Sequence, residues 1–393
     1  MLSKRLHILF CTLLVSLITS VAFAASSRVF ETEESERVPE GQVDDTGAGE
    51  DVDIKEIAFS HILDSYGFHI TQMGDKTISI PLPVIVKSRD RGWFLFSSSR
   101  LHHGEVSYEG FSIAKEGEPC AYRVVETLPD GTVVKPLDLS VTKAVFSLIL
   151  TVSLLCWLFI SIARKYAKNP RKAPSGLQGL VEPIILFVLN DTIKASLGED
   201  VYKKYAPYLL TVFFFILALN IGGMIPLFPF GANVTGNIVI PMFLAFLSFL
   251  LICAASTKHY WKEILWPPSA PLWLKFPIPI MPLIELISSL MKPVVLMLRL
   301  FANMMTGHLL VLALISLIFV LGMFGAAVSG GVALVSVAIT VFVTVIHLLI
   351  AVIQAYVFTL LTAIFVNMAR NKGEDAESKV LAKEGSSEEG SSV

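Results

Sequence analysis

The sequence predicts an all-α polytopic membrane protein with five transmembrane helices, preceded by a small β-rich region that is exported. Apolar residues make up 54% of the 393 residues and charged residues only 16%, whereas a water-soluble domain carries about a quarter of charged residues. The charges are also unevenly placed, because only eight Lys, Arg, Asp and Glu residues lie between 205 and 370. The formal net charge of −2 argues against a nucleic-acid partner.

Residues 1–24 have the order of a secretory signal peptide. Two basic residues near the start precede an apolar stretch, and Ala22-Phe23-Ala24 provides the small residues of a cleavage site before Ala25. The alternative interpretation is an uncleaved first membrane helix. The four cysteines predict neither a disulfide framework nor a metal cluster, because Cys11 would leave with the signal peptide and two others lie in apolar segments.

Residues 25–142 form the polar, exported region. Its start, through Asp53, is rich in Glu, Ser, Gly and Asp, and this composition predicts disorder. Apolar runs divided by Gly and Pro turns then predict the strands of a small β-rich module: Ile78-Ser79-Ile80, Val84-Ile85-Val86, Trp93-Phe94-Leu95-Phe96 and Tyr122-Arg123-Val124-Val125. The adjacent residues His102 and His103 are not predicted to form a metal site, because neighbouring residues on a strand point to opposite faces.

The membrane domain, residues 143–370, begins with a single span. The 20 residues between Lys143 and Arg164 carry no charge, and a helix of this length crosses about 30 Å of hydrocarbon. A basic cluster follows at once, and the positive-inside rule places that cluster in the cytoplasm. The mature N-terminus is therefore predicted to be periplasmic, in agreement with the signal peptide.

Two further spans are predicted after an interfacial segment. Residues 176–198 have the mixed character of an amphipathic helix at the cytoplasmic interface, although a soluble helix fits the same pattern. From Tyr205 to Thr257 there are 53 charge-free residues, interrupted near the middle by Gly and Pro, which predicts two helices joined by an external turn. The lysines that return the chain to the cytoplasmic side are Lys258, Lys262 and Lys275.

The last two helices are predicted to form a long, strongly tilted hairpin. Residues 300–369 contain no Lys, Arg, Asp or Glu, and Gly325 with Ser329-Gly330-Gly331 marks a break between two arms. Each arm approaches about 40 residues, which is about 60 Å of helix and nearly twice a bilayer crossing. Arg370 and Lys372 place the C-terminus in the cytoplasm, and residues 371–393 are predicted to be a disordered tail.

An ionisable residue inside a membrane is costly and is a functional candidate by default. Glu285, Lys292 and Arg299 are spaced by seven, so they share one helix face, subject to a bend at Pro293. Interfacial snorkelling or a local ion pair explains the first two equally well. Arg299 precedes 70 uncharged residues and stays protonated. An acid on another subunit is its predicted partner, and a guanidinium that only reaches the interface is the alternative.

Two histidines and two amides predict a hydrated proton path near this arginine. His308 lies nine residues after Arg299, which is about 180° around the helix axis and about 13.5 Å along it. His347 and Gln354 are seven residues apart and share a face of the second arm. Histidine accepts and releases protons near neutral pH, and Asn303 adds a polar group to the first arm. A membrane histidine that only bonds to a backbone carbonyl is the alternative.

Two segments of the hairpin resemble subunit a of the F-type ATP synthase. They read LRLFANMMTGHLL at 298–310 and IQAYVFTLL at 353–361. The two segments occur in the family's order and separation, so the resemblance is specific. It covers residues 140–370 and extends upstream to Lys292-Pro293, Asn220, Pro226 and Thr235-Gly236-Asn237.

The resemblance implies that Arg299 is the essential arginine facing the rotating c-ring, between two offset half-channels. It also implies that Gln354 faces this arginine from the second long helix and that Asn303 is a polar position one turn beyond it. His308 and His347 match the pair that lines the outer half-channel. The candidate ion-translocation residues are therefore Arg299, His308, His347, Gln354, Asn303 and Glu285.

The sequence departs from the family's commoner pattern in two ways. One of the positions held here by His308 and His347 is commonly a glutamate, so the usual carboxylate relay is absent. Water or hydroxyl groups such as those of Thr306 and Thr344 would then complete the route. The exported region is also far longer than the short outer N-terminus typical of bacterial members.

The resemblance implies a proton-translocating stator subunit in the inner membrane, with no cofactor and no catalytic site. Its implied partners are the c-ring, the peripheral-stalk subunit b and the lipid bilayer. A secondary ion-coupled transporter is the alternative, but it predicts inverted repeats that the sequence does not show. An intramembrane hydrolase would need a nucleophile with a base, or paired acids, and the predicted spans contain neither.

Overall fold

The computed structural model describes residues 64–73, 76–89, 91–104, 106–114, 122–128, 132–168, 174, 176–225, 230–265, 280–322 and 326–389. The predicted signal peptide and the predicted disordered start lie outside these residues. Within them, a β-rich module comes first and a set of helices follows, and the chain changes from strands to helices at Lys143.

The module contains short antiparallel strands in three small sheets. The strands are β1 (Gly67–Met73), β2 (Lys76–Pro81), β3 (Pro83–Ser88), β4 (Gly92–Ser97), β5 (Phe111–Ile113), β6 (Val124–Thr127), β7 (Val133–Val134) and β8 (Leu137–Asp138). β1 pairs with β2, β3 lies between β4 and β8, and β6 lies between β5 and β7. The apolar runs at 78–80, 84–86 and 93–96 all lie in strands, so the predicted β-rich region is confirmed.

Two local expectations about the module are wrong. The strand predicted at 122–125 begins only at Val124, because Tyr122 has a φ of 62°, a left-handed conformation outside the β region. His102 and His103 lie in the 3-10 helix Ser98–Gly104 rather than in a strand. The argument that they point to opposite faces of a strand therefore does not apply to them.

The module buries one side of the β3–β4 hairpin. Val84 and Val86 are fully buried, and Phe96 opposite them is 8% exposed. Because alternate residues of a strand point to opposite faces, Trp93 and Leu95 of β4 lie on the solvent side and are exposed. The alternation of the two faces, and not the uniformly apolar composition of these runs, therefore decides which of their residues form the core.

An ion pair between the exposed Arg91 and the buried Glu126 ties the β3–β4 hairpin to β6. Arg91 Nη2 lies 2.7 Å from Glu126 Oε1, and Ser88 Oγ donates a hydrogen bond to the same oxygen at 2.7 Å. Glu126 is only 4% exposed. Removing one partner of a buried charge leaves the other uncompensated, so the carboxylate depends on these donors.

The described helices follow in chain order. They are α1 (Lys143–Lys168), α2 (Leu177–Phe187), α3 (Ala195–Leu197), α4 (Tyr202–Met224), α5 (Val239–Ala255), α6 (Lys258–Leu265), α7 (Ile280–Gly322) and α8 (Ala326–Glu389). A π-helical segment, Val188–Lys194, joins α2 to α3, so most of the predicted interfacial segment at 176–198 is helical. Phe68 of β1 packs edge-on against Phe146 of α1, with ring centroids 5.6 Å apart.

Among the described residues, four helices are long and apolar enough to cross a membrane. These candidate spans are Lys143–Lys168, Tyr202–Met224, Leu283–Leu314 and Gly331–Arg370. The prediction of a polytopic, mainly helical membrane protein is therefore confirmed. Helix α5 is apolar but has only 17 residues, so the fifth crossing stays a prediction.

The long final hairpin differs from the prediction at both ends of α8. Ser329-Gly330-Gly331 lies inside α8 rather than in a turn, and the described chain breaks between Gly322 and Ala326. A glycine inside a helix costs about 1 kcal/mol, which is less than the several kcal/mol lost when a backbone group is unpaired in lipid. Helix α8 also continues to Glu389, where the sequence predicts a disordered tail, because several Ala, Glu and Lys residues there favour helix.

Candidate functional site

Helices α7 and α8 pack along a seam of buried apolar side chains. Leu296, Leu300 and Met304 recur every four residues on α7 and are at most 5% exposed. Ala355 and Phe358 of α8 are fully buried. Residues four apart lie on one helix face, and a small alanine lets two backbones approach closely. The repeat therefore selects the face of α7 that turns toward the other helices.

One polar contact crosses this seam. Asn303 Nδ2 donates a hydrogen bond to Gln354 Oε1 at 2.9 Å, and Gln354 is only 3% exposed. Nε2 of Gln354 is buried without a hydrogen-bond partner among the described residues. An unpaired buried donor costs about 1–3 kcal/mol, so the amide of Gln354 keeps a donor that this chain's described residues do not use.

Arg299 lies one turn before Asn303 on an exposed side of α7. Its neighbours Leu298 and Ala302 are exposed as well. In the part of the chain that the structure describes, no carboxylate forms an ion pair with Arg299. The guanidinium therefore lies on a free apolar surface, and the anion expected for it has to come from elsewhere.

Glu285, Lys292 and Arg299, which the seven-residue spacing places on one face of the helix, lie in different surroundings. Lys292 Nζ lies 5.4 Å from the ring centroid of Phe365 on α8, so this lysine contacts α8. Glu285 is half-buried near the start of α7, whereas Arg299 is exposed. Fourteen residues of helix, about 21 Å, separate Glu285 from the arginine, so the structure does not bring these two together.

His347 packs on α7 at Gly307, the residue before His308. A Cβ added to Gly307 would overlap Cδ2 and Nε2 of His347, so the imidazole packs directly on the α7 backbone. His347 Nδ1 lies 3.2 Å from the carbonyl oxygen of Val343. His308 Nε2 is buried and has no hydrogen-bond partner among the described residues. The alternative interpretation, a histidine that only bonds to a backbone carbonyl, therefore fits His347. Nε2 of His308 makes no such bond among the described residues.

A second buried polar contact lies on the neighbouring helix α4. Thr235 Oγ1 donates a hydrogen bond to Asn220 Oδ1 at 3.0 Å, and both side chains are buried. Asn220 Nδ2 has no hydrogen-bond partner among the described residues. A Cβ on Gly223 would lie 3.4 Å from Cε of Met304, one turn before His308. This contact brings α4 close to α7 one turn before His308.

The sequence argument did not identify a junction between the β-rich module and the first span. Lys143 N, at the start of α1, donates a hydrogen bond to the carbonyl oxygen of Ser65 at 2.9 Å, and the lysine side chain is half-buried. Ser65 and Lys143 are far apart in the chain, so no spacing could indicate this contact. The available signal was only that Lys143 is the last charge before the first span.

Both parts of the chain match known protein families. Residues 145–367 match the family described as ATP synthase A chain, and residues 57–139 match a family described as a domain of unknown function. The ATP synthase subunit a of Chlorobium phaeobacteroides is 34% identical over 292 residues, which cover 70% of this chain and 81% of that protein. The ATP synthase subunit a 2 of Chlorobium luteolum is 38% identical over 263 residues, covering 63% and 73%.

A relative from another genus gives the same result. The ATP synthase subunit a of Anaeromyxobacter dehalogenans is 34% identical over 257 residues, which cover 63% of this chain and 62% of that protein. The family match spans the α7–α8 seam, Arg299 and both histidines, and it extends over more than half of the chain. This bacterial chain therefore belongs to the ATP synthase subunit a family.

Proposed function

We propose that this chain is the proton-translocating stator subunit of the membrane sector, Fo, of an ATP synthase, without a catalytic site of its own. The observation that carries the proposal is the exposure of Arg299 on an apolar helix, with no carboxylate partner among the described residues. Arginine stays protonated in proteins, and a charge in a membrane is paired or lies in a hydrated cavity. The proposed anion is the carboxylate of a c-ring subunit.

Arg299 acts on the ring through its charge. A positive charge beside a carboxylate favours the ionised form, so each ring carboxylate gives up its proton as it comes abreast of the arginine. The same charge repels a proton that would pass directly between two half-channels. Ion flow is then coupled to ring rotation and, through it, to ATP synthesis on other subunits. The Asn303–Gln354 hydrogen bond supports this role because it joins α7 to α8 one turn from the arginine.

Two offset half-channels lead to the arginine in this proposal. His308 and His347 line the outer one, since His308 lies nine residues beyond Arg299, about 13.5 Å along the helix. Glu285 belongs to the inner one, because it lies toward the start of α7. Gln354 faces the ring position with the amide donor that the described residues leave unpaired.

The proposed topology follows the positions of the basic residues. The mature N-terminus is periplasmic and the C-terminus cytoplasmic, with the chain in the inner membrane. Residues 1–24 are the signal peptide, 25–142 the exported region and 143–370 the membrane domain. The proposed partners are the c-ring, the peripheral-stalk subunit b and the surrounding lipid.

Cysteine cross-linking in native membranes tests this proposal. After the native cysteines, Cys11, Cys120, Cys156 and Cys253, are replaced by serine, Leu298→Cys beside the arginine should form a disulfide with a cysteine on the outer helix of the c-ring. Leu296→Cys is the matched control, because its side chain is 1% exposed and lies in the α7–α8 seam. Absence of a ring in the purified complex, or equal cross-linking at both positions, would contradict the proposed function.

A further inference from the structure

The short helix α6 lies at one end of two candidate spans. Thr257 N, just before α6, donates a hydrogen bond to the carbonyl oxygen of Ala369 at 3.4 Å, and the last candidate span ends at the next residue. Tyr260 Oη and Ser289 Oγ share a hydrogen bond at 3.2 Å. Ser289 lies within the first two turns of the candidate span that begins at Leu283. Because both contacts join α6 to span ends, α6 is held at the level where these helices leave the membrane.

The two faces of α6 differ in character. Tyr260 and Ile264, four residues apart, face the other helices and are 6% and 2% exposed. Lys258, Trp261 and Lys262 share the opposite face, because residues three and four apart are neighbours on a helix. Both lysines are exposed, and the tryptophan between them is half-buried. We call Lys258, Trp261 and Lys262 the outer face of α6, which is basic and aromatic.

The indole of Trp261 is held at the junction of α5 and α6. Its Nε1 donates a hydrogen bond to Ser256 Oγ at 2.7 Å, and Ser256 Oγ donates to the carbonyl oxygen of Cys253 at 2.6 Å. Tryptophan is enriched at membrane–water interfaces, where its ring lies at the level of the lipid headgroups. The position of this ring therefore agrees with the level that the span ends give to α6.

The two lysines of the outer face have no anion from this chain's described side chains. No described carboxylate forms an ion pair with Lys258 or Lys262. Their ammonium groups are carried on long apolar stems that reach toward the headgroup layer, and an ammonium group binds phosphate as a point charge. Each basic residue near an anionic membrane surface strengthens binding about fivefold. The outer face therefore has the charge and the depth that an anionic lipid headgroup requires.

We propose that α6 is a lipid-binding helix, whose outer face binds the phosphate groups of anionic lipids in the cytoplasmic leaflet through Lys258 and Lys262. The leaflet follows from the proposed topology, but lipid binding goes beyond the proposed function and does not depend on ion translocation by Arg299. Thr257 and Tyr260 connect α6 to α8 and α7. The bound lipid therefore supports the helix pair that carries the arginine.

The test is backbone hydrogen exchange of α6 in the full-length chain within its complex, reconstituted into two kinds of vesicle. One kind contains phosphatidylcholine alone, and the other contains phosphatidylcholine with anionic phosphatidylglycerol. We expect exchange in α6 to be slower in the anionic vesicles, by roughly fivefold for each lysine, and the difference to shrink at high salt. Lys258→Gln with Lys262→Gln should remove the difference. Lys258→Arg with Lys262→Arg keeps both charges and should retain it.

Lys165→Gln with Lys168→Gln is the matched control, because it removes two exposed lysines at the end of α1. The control should leave the difference in α6 unchanged. Equal exchange in the two kinds of vesicle overturns the proposal, since something other than anionic lipid would then cover the outer face. A difference that persists in the glutamine double variant of α6 overturns it as well.

Inorganic phosphate added to the phosphatidylcholine vesicles separates a lipid headgroup from a free anion. Little slowing of exchange by phosphate supports the proposal, whereas slowing as large as that in the anionic vesicles would assign the lysines to free phosphate and overturn it. If the glutamine double variant does not assemble, the salt dependence of the wild-type chain decides. A difference between the vesicles that high salt leaves unchanged would then overturn the proposal.

Discussion

Asn303 and Gln354 join the two longest helices through one hydrogen bond, with Asn303 Nδ2 2.9 Å from Gln354 Oε1. The acceptor lies in a seam of apolar side chains and is almost fully buried. Because Arg299 is one turn away on α7, the position of its guanidinium relative to α8 depends on this contact. This buried hydrogen bond therefore links the packing of α7 on α8 to the position of Arg299.

Asn303→Ala should destabilise the packing of α7 on α8 by about 1–2 kcal/mol, because the buried Gln354 oxygen loses its donor. The measurement is thermal unfolding of the purified complex for Asn303→Ala, Gln354→Ala and the double variant, which together form a double-mutant cycle. We expect the double variant to lose less stability than the sum of the two single losses. Additive losses would show that the two amides do not interact.

Gly307→Ala should displace the ring of His347, because the new Cβ would overlap two of its ring atoms, Cδ2 and Nε2. The side chain can move, so we expect the chain to assemble and its passive proton flow to fall by roughly tenfold. Gly331→Ala is the matched control, since no atom lies within 4 Å of its added Cβ. Equal flow in both variants would show that the placement of His347 has no role in the path.

His308→Ala and His347→Ala, made separately, should each slow passive proton flow. Each substitution removes an imidazole, a group that can accept and donate a proton, and we expect a reduction of roughly tenfold to a hundredfold. The measurement is the decay of an imposed pH gradient in vesicles stripped of the catalytic sector. Wild-type decay in both variants would remove the two histidines from the path.

Arg91→Ala should destabilise the β-rich module by ~1–3 kcal/mol, because it leaves the buried Glu126 carboxylate without its cation. Hydrogen exchange of the backbone amides of β3 and β6 in the intact complex measures this loss. Glu126→Gln in the same chain should recover part of it, because the neutral amide no longer needs a cation. Lys87→Ala on the exposed side of β3 is the control, and a loss as large there would contradict the role of the ion pair.

The sequence predicts the long hairpin well because the absence of charge over 70 residues leaves few alternatives to buried or lipid-facing helix. It mispredicts the turn at Ser329-Gly330-Gly331, since local propensity favours a break there while the requirement for paired backbone groups in an apolar segment favours helix. The seven-residue spacing of His347 and Gln354 correctly places both on one helix. Their partners on α7, however, depend on how the two helices pack.

The contact of Lys143 with Ser65 could not be predicted from the sequence. It joins the start of α1 to the β-rich module, and no periodicity relates residues so far apart in the chain. The same is true of Asp64, whose contact with α1 depends on how the module folds. The roles of Arg299, His308 and His347 in ion translocation stay predictions, and they follow from charge and position together.

The central claim is that the charge of Arg299 couples ion flow to rotation. ATP-driven proton pumping into inverted membrane vesicles tests it most directly, with Arg299→Ala compared with Ser288→Ala, an exposed polar residue earlier on α7. We predict that pumping is abolished in Arg299→Ala and unchanged in Ser288→Ala, while both chains assemble with the ring. Normal pumping in Arg299→Ala would contradict the account.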